Sequence, residues 1–93
     1  MNLPVIYDQI NPRERWKVRE EYVRVQEGLC YHCKQPLAGP PRDDIVKAHI
    51  MEELFPVNFL DSPIHLDHDH DTGLTRGAVH SRCNAYMWQY LGK

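Results

Sequence analysis

The sequence lacks three features that would point to common classes of protein: an even number of cysteines, a long apolar run and an excess of basic charge. Three cysteines cannot all pair in disulfides, and residues 1–11 hold polar and charged groups instead of an apolar signal run, so we expect a reducing cytoplasm. No stretch approaches the roughly 18 apolar residues of a membrane helix, so we expect no membrane role. The formal net charge of -2 argues against a broad basic surface, and any nucleic-acid function must therefore rest on local chemistry.

The length of 93 residues predicts a single domain over 1–93. A core this small is marginally stable by itself, so a metal or covalent cross-link is expected to support it. Within the domain we distinguish a helical lead-in at 1–28, an insertion at 35–63 and a terminal motif at 64–92.

The lead-in contains a strong helix-start signal. Asn11 can cap the helix, Pro12 suits its first position, and Glu14 follows three residues after the cap. The pattern predicts a helix to about Glu27, ended by Gly28. Its apolar stripe is expected at Trp16, Tyr22, Val23 and Leu29.

The insertion and the terminal motif differ in their patterns. Prolines and a glycine in 35–42 exclude regular structure, whereas two aspartates before residue 45 predict a short helix over 45–54 that Pro56 ends. Further on, alternation at 64–68, a turn signal and a second apolar run to 79 predict a hairpin, and 85–91 suits a closing helix. The fold class is therefore α+β.

Two pairs of ligands have the spacing of a structural zinc site. Cys30 and Cys33 form one pair, and His80 and Cys83 form a second with the same offset, which together make a Cys3His set. Zinc bound by this set would join both ends of the chain and add its binding energy to folding. Buried thiols with a coincidental spacing are one alternative. A disulfide between Cys30 and Cys33 is another, but it leaves the second pair unexplained.

An alternating acidic and imidazole segment precedes the second ligand pair. On a strand, Asp67, Asp69 and Asp71 would face one way and His68 and His70 the other. The alternative is a solvated polar turn, which an isolated string of this kind would favour. The remaining histidines are better explained as surface or packing residues, namely His32, His49 and His65.

This segment and the start of the last helix contain the groups that phosphodiester hydrolysis requires. A hard cation such as Mg²⁺ prefers oxygen ligands, which the Asp67 carboxylate and the Asn84 amide can supply. A neutral imidazole at His68 suits proton abstraction from water near pH 7. The planar fork of Arg76 suits a phosphate oxygen, and contacts of Arg82 with the DNA backbone are a further option.

Three segments resemble the recombination endonuclease VII branch of the HNH, or ββα-metal, nucleases. They are Leu-Asp-His-Asp-His-Asp-Thr-Gly at 66–73, Arg-Gly at 76–77 and Cys-Asn at 83–84. The segment at 22–33, which ends in the first cysteine pair, is similar as well. The resemblance implies a small zinc-stapled ββα-metal domain with an N-terminal helix and a short inserted helix.

The same resemblance implies roles for individual residues. Asp67 and Asn84 would bind a catalytic Mg²⁺ or Mn²⁺, His68 would be the general base, and His70 would assist at the phosphate. Cleavage would leave a 5′-phosphate and a 3′-hydroxyl. The sequence departs from the family at His80, where cysteine is usual, and at Met87, where an acidic residue can assist in the family member that resolves branched DNA.

We therefore expect a metal-dependent DNA endonuclease, of the phage-type nicking or site-specific HNH kind. A Holliday-junction resolvase and a non-catalytic zinc module that binds nucleic acid or protein are the alternatives. The expected partner is double-stranded DNA, with branched DNA as an option, and the chain would act as a monomer or homodimer in the host cytoplasm if phage-encoded. Basic residues on the first helix can track phosphates, although an ordinary solvated helix face is the favoured explanation.

Overall fold

The computed structural model describes all 93 residues and confirms a small α+β fold. Its helices and strands are α1 (Pro12–Val25), α2 (Asp43–Val46), β1 (Ile64–His68), β2 (Thr75–His80) and α3 (Ser81–Leu91), with two 3-10 turns at Tyr7–Gln9 and Glu52–Leu54. The core lies between α1, the β1–β2 hairpin and α3. No helix has the length and apolar character that a membrane crossing requires.

Helix α1 begins where the capping signal predicts. The Asn11 side chain accepts a hydrogen bond from the Glu14 amide at 2.8 Å, and the Glu14 carboxylate accepts one from the Asn11 amide at 3.1 Å. The helix ends at Val25, two residues earlier than expected, because Glu27 and Gly28 both adopt positive φ angles of 57° and 77°.

The buried face of α1 differs from the expected stripe. Val18 and Tyr22, one helical turn apart, face the core, whereas Trp16 is 55% exposed and Leu29 is 39% exposed. The Tyr22 hydroxyl also reaches β2, where it lies 2.9 Å from the Thr75 hydroxyl. The predicted stripe was wrong at Trp16 because the exact rotation of α1 is decided by its packing on the hairpin.

Strands β1 and β2 form an antiparallel hairpin whose register changes once. Ile64 lies opposite His80 and Asp67 opposite Gly77, but His68 lies opposite Thr75. One residue of β2, Arg76, is therefore extra at this point, which is the geometry of a β-bulge.

Gly77 brings the end of α1 into direct contact with β2. A Cβ atom at this position would lie 2.6 Å from Gln26 Oε1 and 2.9 Å from the Tyr31 side chain. The Gln26 amide in turn accepts a hydrogen bond from the Ala78 amide and donates one to the Ala78 carbonyl, each at 2.9 Å. The absence of a side chain at 77 thus permits this close approach.

The insertion holds less helix than expected. Only α2 is α-helical, and the segment that follows it adopts bends and one 3-10 turn instead of the predicted helix over 45–54. Its carbonyl groups bond to α3: Arg82 donates to Ala48 at 2.8 Å, and both Gln89 and Tyr90 donate to His49. These bonds to another element replace those that a continuous helix would have made.

The N-terminal residues pack along the hairpin, which sequence reasoning did not predict. Ile6 forms a bridge with Leu74, and the Tyr7 amide donates to the Gly73 carbonyl at 2.8 Å. This pairing places the Tyr7 ring beside the end of β1.

Candidate nuclease site and zinc centre

The four predicted zinc ligands converge at one buried point. The ligand atoms of Cys30, Cys33, His80 and Cys83 all lie within 4.8 Å of one another, and each residue is buried. Cys30 and Cys33 come from a tight turn after α1, residues 30–33, which we term the knuckle. His80 and Cys83 come from the junction of β2 and α3. The knuckle is fastened to β2 by a 2.9 Å bond from the Tyr31 amide to the Ala78 carbonyl.

The orientation of His80 fits a metal ligand. Its Nε2 lies 2.9 Å from the Pro36 carbonyl and 3.0 Å from the Gly39 carbonyl, so it carries the proton and leaves Nδ1 unprotonated. Nδ1 lies 3.5 Å from Cys33 Sγ and 3.6 Å from Cys83 Sγ. Tetrahedral zinc with ordinary bond lengths would separate nitrogen and sulfur by about 3.6 Å. The donor set and its spacing therefore fit a structural zinc ion, and imidazole serves where the family usually has cysteine.

The predicted catalytic residues line one cavity of about 880 Å³. Asp67 and His68 contribute to it from β1, His70 from the hairpin turn and Asn84 from α3. Two of the four ligands, His80 and Cys83, lie at the start of α3. Because Asn84 follows Cys83 directly, the ligand cluster holds Asn84 against the hairpin.

The register shift of the hairpin lies at the level of Asp67 and His68, and both of these residues line the cavity. Asp69 instead closes the turn, accepting hydrogen bonds from the Asp71 amide at 2.8 Å and the Thr72 amide at 2.9 Å. These bonds, that from Thr72 first, lower the pKa of the Asp69 carboxyl.

Arg76 forms a bidentate ion pair with the carboxylate of Asp67. The guanidinium donates from Nε at 2.9 Å and from Nη2 at 3.0 Å, and the Asp67 side chain is only 1% exposed. Such a pair fixes the orientation of both carboxylate oxygens. The fork that we expected to hold a phosphate is thus engaged by Asp67, and Arg76 does not line the cavity.

Asn84 presents an amide oxygen that has no hydrogen-bond partner. The oxygen is buried, while the amide nitrogen lies 3.1 Å from Nδ1 of His65. Burial lowers the pKa of His65, so its neutral ring accepts this hydrogen bond. A buried oxygen without a partner is costly unless an ion or water satisfies it, so the Asn84 oxygen fits a cation ligand.

The general-base candidate lies within a column of aromatic rings. The His68 ring stacks on Tyr7 at 3.9 Å and on His70 at 4.3 Å between centroids, and the His70 ring meets the edge of Trp88 at 3.9 Å. Burial, followed by the nearby His70, lowers the pKa of His68. The imidazole is therefore held in position and kept neutral at physiological pH.

Comparison with known families finds a similarity over the C-terminal part of the chain. Residues 57–92 match the family model of recombination endonuclease VII. The matched segment contains the hairpin, α3 and every cavity residue singled out above except Tyr7. No curated protein and no solved structure gives a match to the chain.

The endonuclease VII match confirms the resemblance and supports a nuclease or branched-DNA resolvase role with nucleic acid as substrate. Cys30 and Cys33 lie outside the matched segment. The fold nevertheless brings them to the other two ligands, His80 and Cys83, which lie inside it. The metal cluster therefore joins the matched segment to residues that lie outside it.

Sequence reasoning missed two residues of the candidate site, and the expectation for Arg82 changes as well. Tyr7 is distant in sequence, and no local pattern marks it. His65 was interpreted as a surface or packing residue, although its position two residues before Asp67 on the same strand places it beside the site. Arg82 donates to the Val46 carbonyl at 3.2 Å and the Ala48 carbonyl at 2.8 Å, so it anchors the insertion and does not line the cavity.

Proposed function

We propose that the protein is a metal-dependent DNA endonuclease of the HNH type, which hydrolyses phosphodiester bonds and nicks one strand at a time. The observation that carries this proposal is the shared cavity of Asp67, His68 and Asn84, in which the Asn84 amide oxygen lacks a partner. The endonuclease VII match over the same residues supports a nuclease role in general.

Each residue has a distinct task in this proposal. Asp67, oriented by Arg76, and Asn84, oriented by His65, would hold Mg²⁺ or Mn²⁺. The bound ion would supply electrostatic stabilisation of the charge that develops around phosphorus. His68 takes a proton from the attacking water, for which a neutral imidazole is required. His70 lies beside His68 and assists at the phosphate.

We favour nicking because the chain has one such cavity. A single site cuts one strand in each encounter, and double-strand cleavage would need a homodimer. A branched-DNA resolvase is the second candidate, because the matching family is that of a recombination endonuclease. Against it, Met87 is 3% exposed within the core and supplies no carboxylate to the site.

A plasmid assay tests the catalytic role of His68. Zinc-loaded protein incubated with supercoiled plasmid and Mg²⁺ or Mn²⁺ is expected to produce open circles with 5′-phosphate ends. The His68→Ala variant should lose at least about 100-fold in rate, the usual contribution of a general base. His49→Ala is the matched control, because His49 is exposed and its bonds to α3 use only its carbonyl.

Equal cleavage by His68→Ala and the parent would remove His68 from its role. An absence of cleavage by every variant would favour a non-catalytic zinc module instead. A four-way junction compared with linear duplex in the same assay separates the resolvase from the nicking enzyme, since only a resolvase cuts the junction preferentially.

A further inference from the structure

The cavity extends past the candidate catalytic residues to a set of aromatic side chains that we term the aromatic wall: Trp16, Phe55, Phe59 and Trp88. The chain has only two tryptophans, and both lie in this wall. Trp16 is 55% exposed on a helix whose core contacts are made by Val18 and Tyr22, so packing does not explain it. An exposed tryptophan in a concave surface points to a ligand with a flat apolar face.

Three members of the wall contact one another or histidines of the candidate site. Phe55 stacks on Phe59 at 4.9 Å, and Phe59 meets the edge of His65 at 4.7 Å. On the other side, the edge contact of Trp88 with His70 joins the wall to the ring column. The wall is thus positioned directly beside the candidate site of cleavage.

The charge of the cavity differs from that of the whole chain. Arg15 and Arg19 line it; Arg15 lies over the Tyr7 ring at 4.0 Å, and Arg19 contacts the carboxylate of Glu20 at 3.5 Å. Asp67 is the only acidic residue of the lining and is paired with Arg76. The cavity therefore offers cationic groups beside aromatic rings, although the chain has a net charge of -2. This combination suits a ligand that has both a flat base and a phosphate.

We propose that the aromatic wall binds an unpaired base of single-stranded DNA next to the phosphate that is cleaved. Within a duplex the faces of each base are covered by its neighbours, whereas an unpaired base can stack on protein rings. The volume of about 880 Å³ suits a small-ligand site rather than a duplex. This inference rests on the proposed nuclease function and specifies its substrate: DNA with an open, single-stranded segment.

A binding experiment tests the wall without requiring cleavage. The zinc-loaded protein, without added Mg²⁺ or Mn²⁺, is titrated with a fluorescein-labelled single-stranded oligonucleotide of about ten nucleotides, and with its duplex. The anisotropy of the fluorescein label gives the dissociation constant. A second titration with unlabelled DNA measures the quenching of the protein's tryptophan fluorescence. The single strand should bind about 10-fold more tightly than the duplex and quench the tryptophans.

Three variants identify the surface that is used. Trp16→Ala should weaken single-strand binding about 10-fold, while Trp16→Phe, which keeps a stacking ring, should retain most of the affinity. Tyr31→Ala is the control, because Tyr31 is an aromatic residue with 42% exposure that lies outside the cavity. Circular dichroism of each variant establishes that the fold is retained.

Equal affinity for single strand and duplex, no quenching, or the same loss from Tyr31→Ala as from Trp16→Ala would overturn the proposal. The plasmid assay separates this failure from that of the enzyme function. His68-dependent nicking without single-strand preference would refute the wall alone, whereas single-strand binding that depends on Trp16 would support the wall even if no metal yields cleavage.

Discussion

Asp67 illustrates how a single residue is prepared for a task by its neighbours. Its carboxylate is almost fully buried, which is costly for a charged group unless a partner compensates. Arg76 provides two hydrogen bonds and keeps the charge in place at the cavity. The same logic applies to Asn84, whose nitrogen is used by His65 while its oxygen remains available.

Replacement of Arg76 by methionine is expected to lower the free energy of unfolding by about 2 kcal/mol, because a buried carboxylate loses its only ion-pair partner. Arg76 is partly exposed, so water offsets part of the loss. Urea unfolding measures the change. Arg24→Met is the control, since its pair with Glu21 lies on the surface, and no measurable change is expected there. A parent-like midpoint for Arg76→Met would contradict the assigned role.

Tyr7 is expected to act as a positioning residue for His68. Tyr7→Ala should lower kcat for plasmid nicking about 10-fold with little change in KM, because the imidazole loses one of its two stacking partners. Tyr7→Phe keeps the ring and should restore the parent rate. If Phe and Ala variants were equally slow, stacking would not be the contribution of Tyr7.

At the scale of elements, the hairpin is the part that positions most of the site. Asp67 and His68 of β1 both line the cavity beside the register shift, and the hairpin also receives the N-terminal segment that carries Tyr7. Ala78 of β2 contacts the end of α1 through hydrogen bonds to the Gln26 side chain. A change at this contact should therefore affect the whole hairpin.

Gly77→Ala is expected to destabilise the protein by about 1–3 kcal/mol, because the new methyl group would overlap Gln26 and Tyr31. Gly39→Ala is a suitable control, since its nearest atom would be a carbonyl oxygen at an ordinary 3.8 Å. Thermal and urea unfolding of both variants measure the difference. Equal stability of the two would show that the contact relaxes without cost.

At the scale of the whole molecule, the four-residue cluster that could hold zinc joins distant parts of the chain. The cluster joins the knuckle after α1 to the start of α3. Only 18 residues of the chain are buried, so few other core contacts can hold these segments together. Binding energy at such a site contributes to folding directly.

Cys33→Ser is expected to lose zinc and the cooperative unfolding transition together. His80→Cys should retain zinc, because a thiolate can replace an imidazole in the tetrahedron, whereas His80→Ala should not. Metal content after gel filtration and near-ultraviolet circular dichroism test this. A folded, active Cys33→Ser protein would contradict the zinc assignment.

Features that depend on neighbouring residues could be predicted from the sequence. The capping box at Asn11, the two ligand pairs, the hairpin and the last helix all follow from short-range spacing, and the structure has each of them. The catalytic set was expected from the family resemblance, and its members line one cavity.

What required the tertiary structure was every feature set by contacts between distant segments. The bulge in β2, the pairing of Arg76 with Asp67, the stacking of Tyr7 on His68 and the short length of α2 each depend on how separate elements pack. Local patterns determine which elements form, because capping and side-chain periodicity act within a few residues. Hydrogen bonds, ion pairs and ring contacts between distant residues form only when the hairpin, the helices and the zinc ligands are brought together.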